Sequence, residues 1–311
     1  MTAVTVKHAR PSRSDLIAMA KGGYGEVFVQ SCPDGVIADG PAPAAAAYLK
    51  SAAHNLHLSP TNRMLTYLQA PQARGVMTFK AIKYKLHGSI RKGEKAAAHI
   101  LAPRKNEKTG HVYFAPVPVF SLDQMREPPA RPSAGDLKQI VGTDKLDDIS
   151  ARLQEAAAEI AEASGLDAAG GPAANSTVHA AAALMLCCRY GADAPALEAS
   201  ASRGLTVYVQ GQQPVSGLAS LADTLEAHVS LLHAAESCAR AGDAVLGRIA
   251  EMQKDSPDLT VETAMQTPGE HGRSLLGDIT LEVTGRAGPK EPVRIAAPAQ
   301  HKPQKKQQAV R

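Results

Sequence analysis

Arg91-Lys92-Gly93-Glu94-Lys95 sets three cations around a glycine, an arrangement suited to holding phosphates. A residue without a side chain lets the backbone turn sharply and approach an anion, while the flanking charges supply the attraction. Lys80, Lys83 and Lys85 precede this arm, Arg104, Lys105 and Lys108 follow it, and Arg63 stands upstream. Between Arg63 and Lys108 eleven Lys/Arg face two acids, a local charge of +9 in a chain whose net charge is +4. Charge gathered in this way attracts a polyanion through phosphate contacts and counterion release. A groove for single strands also needs flat side chains that stack on bases. Tyr84 and Tyr113 are the rings the sequence offers beside these cations.

Other chemistry is poorly provided for. A zinc peptidase needs two histidines one helical turn apart, a general-base glutamate and a third ligand. His228 and His233 are five residues apart, on different helix faces, and no HExxH occurs. His54 and His57 have the i, i+3 spacing that suits chelation, but no Glu or Cys is close in sequence. Cys187-Cys188 sits in an apolar run that suits core packing. The glycine cluster in Gly22–Val29 superficially resembles a phosphate loop, yet it lacks the Walker Lys-Ser/Thr pair and reads as a turn before a strand. No Ser or Cys has the flanks of a nucleophile. The expectation is a protein that is no enzyme and holds neither metal nor cofactor.

The elements that must position the basic block follow from periodicity and punctuation. Ala44–Leu58 predicts a helix, broken at Ser59-Pro60, and Thr61 is placed to cap a second helix over Asn62–Gln69. Thr78 caps a third, short helix that ends at Gly88, with Phe79, Ile82 and Leu86 as its inward stripe. Residues 96–103 and 111–120 form a β-hairpin across a polar, glycine-ended loop. Pro116 and Pro118 place part of its second strand at an edge or in irregular structure. Glu127–Gly135 is a proline-rich linker. Beyond it the chain turns acidic and helical. Leu146, Ile149, Leu153 and Ile160 face inward on the first helix, Thr177–Tyr190 is a more buried one, and Leu218–Met252 is the longest. Leu221, Leu225, Val229 and Leu232 carry the near-helical spacing of that last helix. The segment 279–285 (ITLEVTG) reads as a short strand.

The ordered series Asn62, Gln69-Ala70-Pro71, Gly88, Arg91-Lys92-Gly93-Glu94-Lys95, Ala102-Pro103 and Val119-Phe120 resembles the N-terminal single-stranded-DNA-binding domain of the ArdC family of antirestriction proteins. The resemblance covers Asn62–Glu127 and extends back to Tyr48. Ile82 or Tyr84 stands where that family usually has Trp, and Ser121 replaces the Asp after Phe120. The resemblance implies single-strand binding with little sequence preference, in the protection or handling of strands entering with a plasmid or other mobile element. ArdC-like proteins often continue into a zinc-metalloprotease-like domain. Residues 136–252 read as a degenerate version of it, or as an unrelated helical domain.

The expected class is therefore α+β, with N-terminal helices packed on a small antiparallel sheet or hairpin, followed by a mainly α-helical domain. Residues 1–14 are expected to be disordered, with a short helix from Asp15 to Ala20. The DNA-binding domain spans 15–126, the linker 127–135, the helical domain 136–287 and a disordered basic tail 288–311. The acidic helical domain is a candidate surface for a protein partner. Cys32, Cys187, Cys188 and Cys238 make no disulfide framework for a chain this long, which points to the cytoplasm. No apolar run is long enough to span a membrane. An RNA-binding regulator, a divergent metalloprotease and an adaptor with an incidental basic block stay open as rival readings.

Overall fold

A computed structural model describes residues 42–107, 109–166, 171–211 and 218–285, with the side chains of 42–45, 205–230 and 271 excepted. The expected N-terminal disorder, the expected Asp15–Ala20 helix, the expected turn and strand of Gly22–Val29, Cys32, Lys108 and the basic tail fall on residues outside the described ones, as do the side chains of Leu221, Leu225, His228 and Val229.

Two helices open the described chain, α1 (Ala42–Ala53) and α2 (Pro60–Gln69). The cap of α2 is Ser59, not Thr61: Ser59 is extended and its hydroxyl accepts from the Asn62 amide. Pro60 then occupies the first helical turn, where its preset φ fits and its missing N–H costs nothing. After α2 come β1 (Met77–Thr78) and α3 (Phe79–Lys85), then β2 (Ala98–Lys105) and β3 (Val112–Phe120). The sheet is antiparallel, in the order β1-β3-β2, and the hairpin register runs from Ala98 opposite Val119 to Lys105 opposite Val112.

β3 is thus central in the sheet although it carries two prolines. The Ala97 amide donates to the Val119 carbonyl, so the odd-numbered residues of β3 turn their backbone groups toward β2. Pro116 and Pro118 point their nitrogens the other way, toward a side where β1 pairs only with Val119 and Phe120. The ladder loses no donor there, and that open edge cannot receive another strand.

The outer edge of β2 is closed by side chains instead of a strand. On α2, Asn62 Oδ1 accepts from the Leu101 amide at 2.8 Å and its Nδ2 donates to the Leu101 carbonyl at 2.9 Å. Two turns later Gln69 does the same to His99, at 2.9 and 2.8 Å. Leu101 and His99 are alternate residues, and their backbone groups face the same edge. The Asn and the Gln-x-Pro of the sequence series therefore have a structural task, holding the hairpin against α2. Asn62→Ala is expected to cost about 1–3 kcal/mol in urea denaturation, because its partly buried partners lose their bonds. Gln69→Ala is expected to cost less, since water reaches that pair.

Past the linker come α4 (Ala134–Val141), α5 (Leu146–Ser164), α6 (Pro172–Arg189), α7 (Pro195–Gly211), α8 (Leu218–Met252), α9 (Val261–Gln266) and α10 (Leu275–Thr284). The chain is α+β. Two sequence expectations are corrected. Residues 279–284 lie in α10, capped by Ser274, with Leu276 and Ile279 buried at helical spacing. Leu146 stays 37% exposed at the start of α5, while Ile149, Leu153 and Ile160 are buried as expected.

The main core takes Tyr48 and Leu49 from α1, Met64 and Leu65 from α2, and then Leu153, Leu184, Met185, Leu232 and Ile249 from the helices beyond the linker. Packing therefore runs across residues 127–135. A smaller core under the sheet joins Val76, Ile100, Val117 and Val119. A buried polar cluster ties the two halves of the chain. Glu236, fully buried on α8, accepts from Arg63 Nη2 at 2.7 Å and from the Tyr48 hydroxyl.

Candidate nucleic-acid interface

The sheet's β1 end gathers most of the predicted site. Thr78 is extended and its hydroxyl accepts from the Ala81 amide at 3.2 Å, so α3 starts as β1 stops. Ile82 is its buried anchor. The expected inward stripe does not form, because α3 is too short to bury its outer positions: Phe79 is 53% exposed and Leu86 is exposed as well. Phe79 instead lies edge-on to Phe120 at the end of β3, with ring centroids 6.5 Å apart. Lys80, Lys83 and Lys85 are exposed, and Lys83 Nζ sits 5.3 Å from the centre of the Tyr84 ring, itself 65% exposed.

The arm is pinned to the chain that leaves β3. Arg126 N donates to Ser89 O, Arg91 N donates to Gln124 O, and Ile90 bridges Met125. Gly88 makes room for this, since a Cβ there would lie 2.2 Å from the Met125 methyl. Arg91 Nε and Nη2 both donate to Glu94 Oε1, at 3.0 and 2.7 Å. Gln124 Nε2 donates to Glu94 Oε2 at 2.9 Å and to the Lys95 carbonyl at 2.8 Å. The Gln124 bond first, and then Arg91, hold the Glu94 carboxyl below its ordinary range. Arg91 and Glu94 thus shape the arm, and Gly93 turns it at φ +89 with open space beside it. Lys92 and Lys95 are left exposed on the outside of that turn.

Four of the predicted residues fall elsewhere. Arg63 is corrected outright: its side chain is 2% exposed, and besides Glu236 it donates to the carbonyls of Leu56 and Leu58. It cannot touch a nucleic acid. Arg104, Lys105 and Tyr113 are exposed at the hairpin tip, roughly 20 Å along β3 from Phe120 at ~3.3 Å per residue. Arg104 stands opposite Tyr113 and Lys105 opposite Val112, so alternation sends the two cations to opposite faces of the ribbon. Lys108 lies outside the described residues.

Two exposed rings escaped sequence reasoning, Phe79 and Phe114, at 53% and 63% exposure. The signal for Phe114 was in the alternation of β3. Val117 and Val119 are core residues, so Phe114, like Phe120, must take the other face.

The remaining sequence candidates are placed as follows. His57 Nε2 bonds to the Val76 carbonyl, and His54 lines a cleft among arginines. Burial pushes the Cys187 thiol up to about 12 and that of Cys188 to about 11. Among the described residues no three His, Cys, Asp or Glu side chains converge as metal ligands would, and no helix is long and apolar enough to cross a membrane.

Among the described residues Lys80, Lys83, Lys85, Lys92, Lys95, Arg104 and Lys105 form no ion pair, whereas Arg131, Arg152, Arg189, Arg248 and Arg273 of the acidic half each hold a carboxylate. The chain matches no protein-family model, no curated protein and no solved structure.

Proposed function

We propose that this chain binds single-stranded DNA without sequence preference, with α3 and the 91–95 arm as the principal contact and the hairpin tip as a second one. One observation carries the reading. Five exposed lysines without carboxylate partners among the described residues, Lys80, Lys83, Lys85, Lys92 and Lys95, stand on two adjoining segments that also present the exposed rings of Phe79 and Tyr84. Cations of that kind release counterions on meeting phosphates, and the rings offer bases a surface that any sequence can use. α3 is only 7 residues long and carries the exposed rings of Phe79 and Tyr84 beside its lysines, which favours an unpaired strand whose bases are free to stack.

The setting we infer from the resemblance to the ArdC family is protection or handling of single strands that enter the cytoplasm with a mobile element. The acidic helical part then serves as a surface for a protein partner.

Fluorescence anisotropy with a single strand, its duplex and an RNA of the same sequence, across a salt series, tests this directly. The expected result is tightest binding to the DNA single strand, with a slope of log K against log salt of about −3.5 for five phosphate contacts. Absence of binding at low salt would remove the proposal. Stronger binding to the RNA would convert it to RNA recognition.

A further inference from the structure

Leu122, on the turn whose Gln124 holds the arm, lines a cleft of about 400 Å³, within the range of small-ligand pockets. Arg74, Arg131 and Arg189 line it together with His54 and Tyr190. Among the described residues no Asp or Glu lines it. The three guanidiniums come from three separate parts of the chain: the turn before β1, the proline-rich linker and the end of α6. Two of the guanidiniums are held by carboxylates, and Arg74 is held through its backbone. Gly75 N donates to His54 O at 3.1 Å and Leu122 N to Arg74 O at 3.0 Å, which fix the backbone of Arg74 beside the imidazole. Arg189 Nε donates to Asp243 at 2.6 Å, and Arg131 Nη2 pairs with Asp123. Both carboxylates lie outside the lining, and each guanidinium has five N–H donors, so each keeps donors for a ligand. The side chain of Arg74 forms no ion pair among the described residues. The nearby Asp136 is occupied by the amide and hydroxyl of Ser133. His54 responds to the same field: burial first, and then Arg74, Arg189 and Arg131, push its pKa down to about 4. A neutral imidazole and a protonated phenol therefore stand among three permanent cations.

We propose that this cleft binds a phosphate monoester, as a free nucleotide-sized ligand or as the terminal phosphate of a nucleic-acid strand. Planar forks suit the oxygens of a dianionic phosphate, and the paired positions of Arg131 and Arg189 lower the ordering cost of presenting them. The site stands apart from the strand-binding reading, since none of the five lysines of that surface lines it.

Isothermal titration calorimetry of the full chain with inorganic phosphate and with thymidine 5′-monophosphate is the test, repeated on Arg74→Gln and Arg131→Gln. Arg74 offers only its backbone to the fold, so its variant should unfold at the native temperature. Saturable binding of one equivalent, weakened about tenfold or more in each variant, is expected. No saturable heat from either probe, or unchanged affinity in both variants, overturns the proposal. Single strands with and without a 5′-phosphate separate the two sources. A preference for the phosphorylated end that Arg74→Gln abolishes assigns the cleft to a strand terminus. Phosphate and nucleotide binding without that preference assigns it to a free ester. A variant lacking the five lysines should keep its phosphate titration even where strand binding is gone, so the two proposals fail separately.

Discussion

Glu236→Ala is expected to lower the unfolding free energy by about 3–5 kcal/mol in denaturant titrations, a large part of what a domain usually has. The reason is the partner left behind. Arg63 has no route to water at 2% exposure, and its guanidinium cannot give up its proton. With the carboxylate gone, a buried cation loses the Glu236 charge while the carbonyls of Leu56 and Leu58 stay, and the Tyr48 hydroxyl loses its bond to Glu236. The double variant Arg63→Met/Glu236→Leu is expected to recover most of the loss, because two apolar side chains of similar volume need no partners. Recovery distinguishes an unpaired charge from a packing defect. A loss below about 1 kcal/mol in the single variant would show that water reaches the cluster and that the pair does little.

Replacing Lys80, Lys83, Lys85, Lys92 and Lys95 together by Gln is expected to weaken single-strand binding about a thousandfold at 0.1 M salt and hardly at all near 1 M. All five are exposed and without carboxylate partners among the described residues, so the fold should survive the change. The salt dependence is the informative part, since each phosphate contact adds about 0.7 to the slope. Phe79→Ala with Tyr84→Ala should behave differently. Stacking is worth about 1–3 kcal/mol per base and does not depend on counterions, so binding should fall by a similar factor at every salt concentration. If the five-lysine variant keeps the native slope, the cations that matter lie elsewhere on the chain.

Much of the local structure was legible because it is local. Thr78 marked the start of α3, the polar loop between β2 and β3 marked the hairpin, and Leu218–Met252 kept its helical spacing to the end. A weaker signal went unread: Ser133 and Asp136 form a capping box at the end of the linker, which announces α4. Residues 279–284 look like a strand because Ile, Val and Thr favour one, but the Ser274 cap and the buried Leu276 and Ile279 decide for a helix. The site was legible as a charge count and less so as an arrangement. Arg63 counted toward the basic block although its partner stands 173 residues further on, beyond any local pattern. Glu94 and Gln124, which shape the arm, are 30 residues apart, and only the pairing of 89–91 with 124–126 brings them together.

The Arg63–Glu236 pair also orders events in time. At the usual ~5–20 residues per second of synthesis, α2 leaves the ribosome roughly 10 to 35 s before the glutamate that will neutralise it. During that interval the nascent chain carries one more accessible positive charge than the finished protein, on a helix whose apolar face still waits for α6 and α8. The half that holds α2 and the sheet is therefore made before the helices that complete its core.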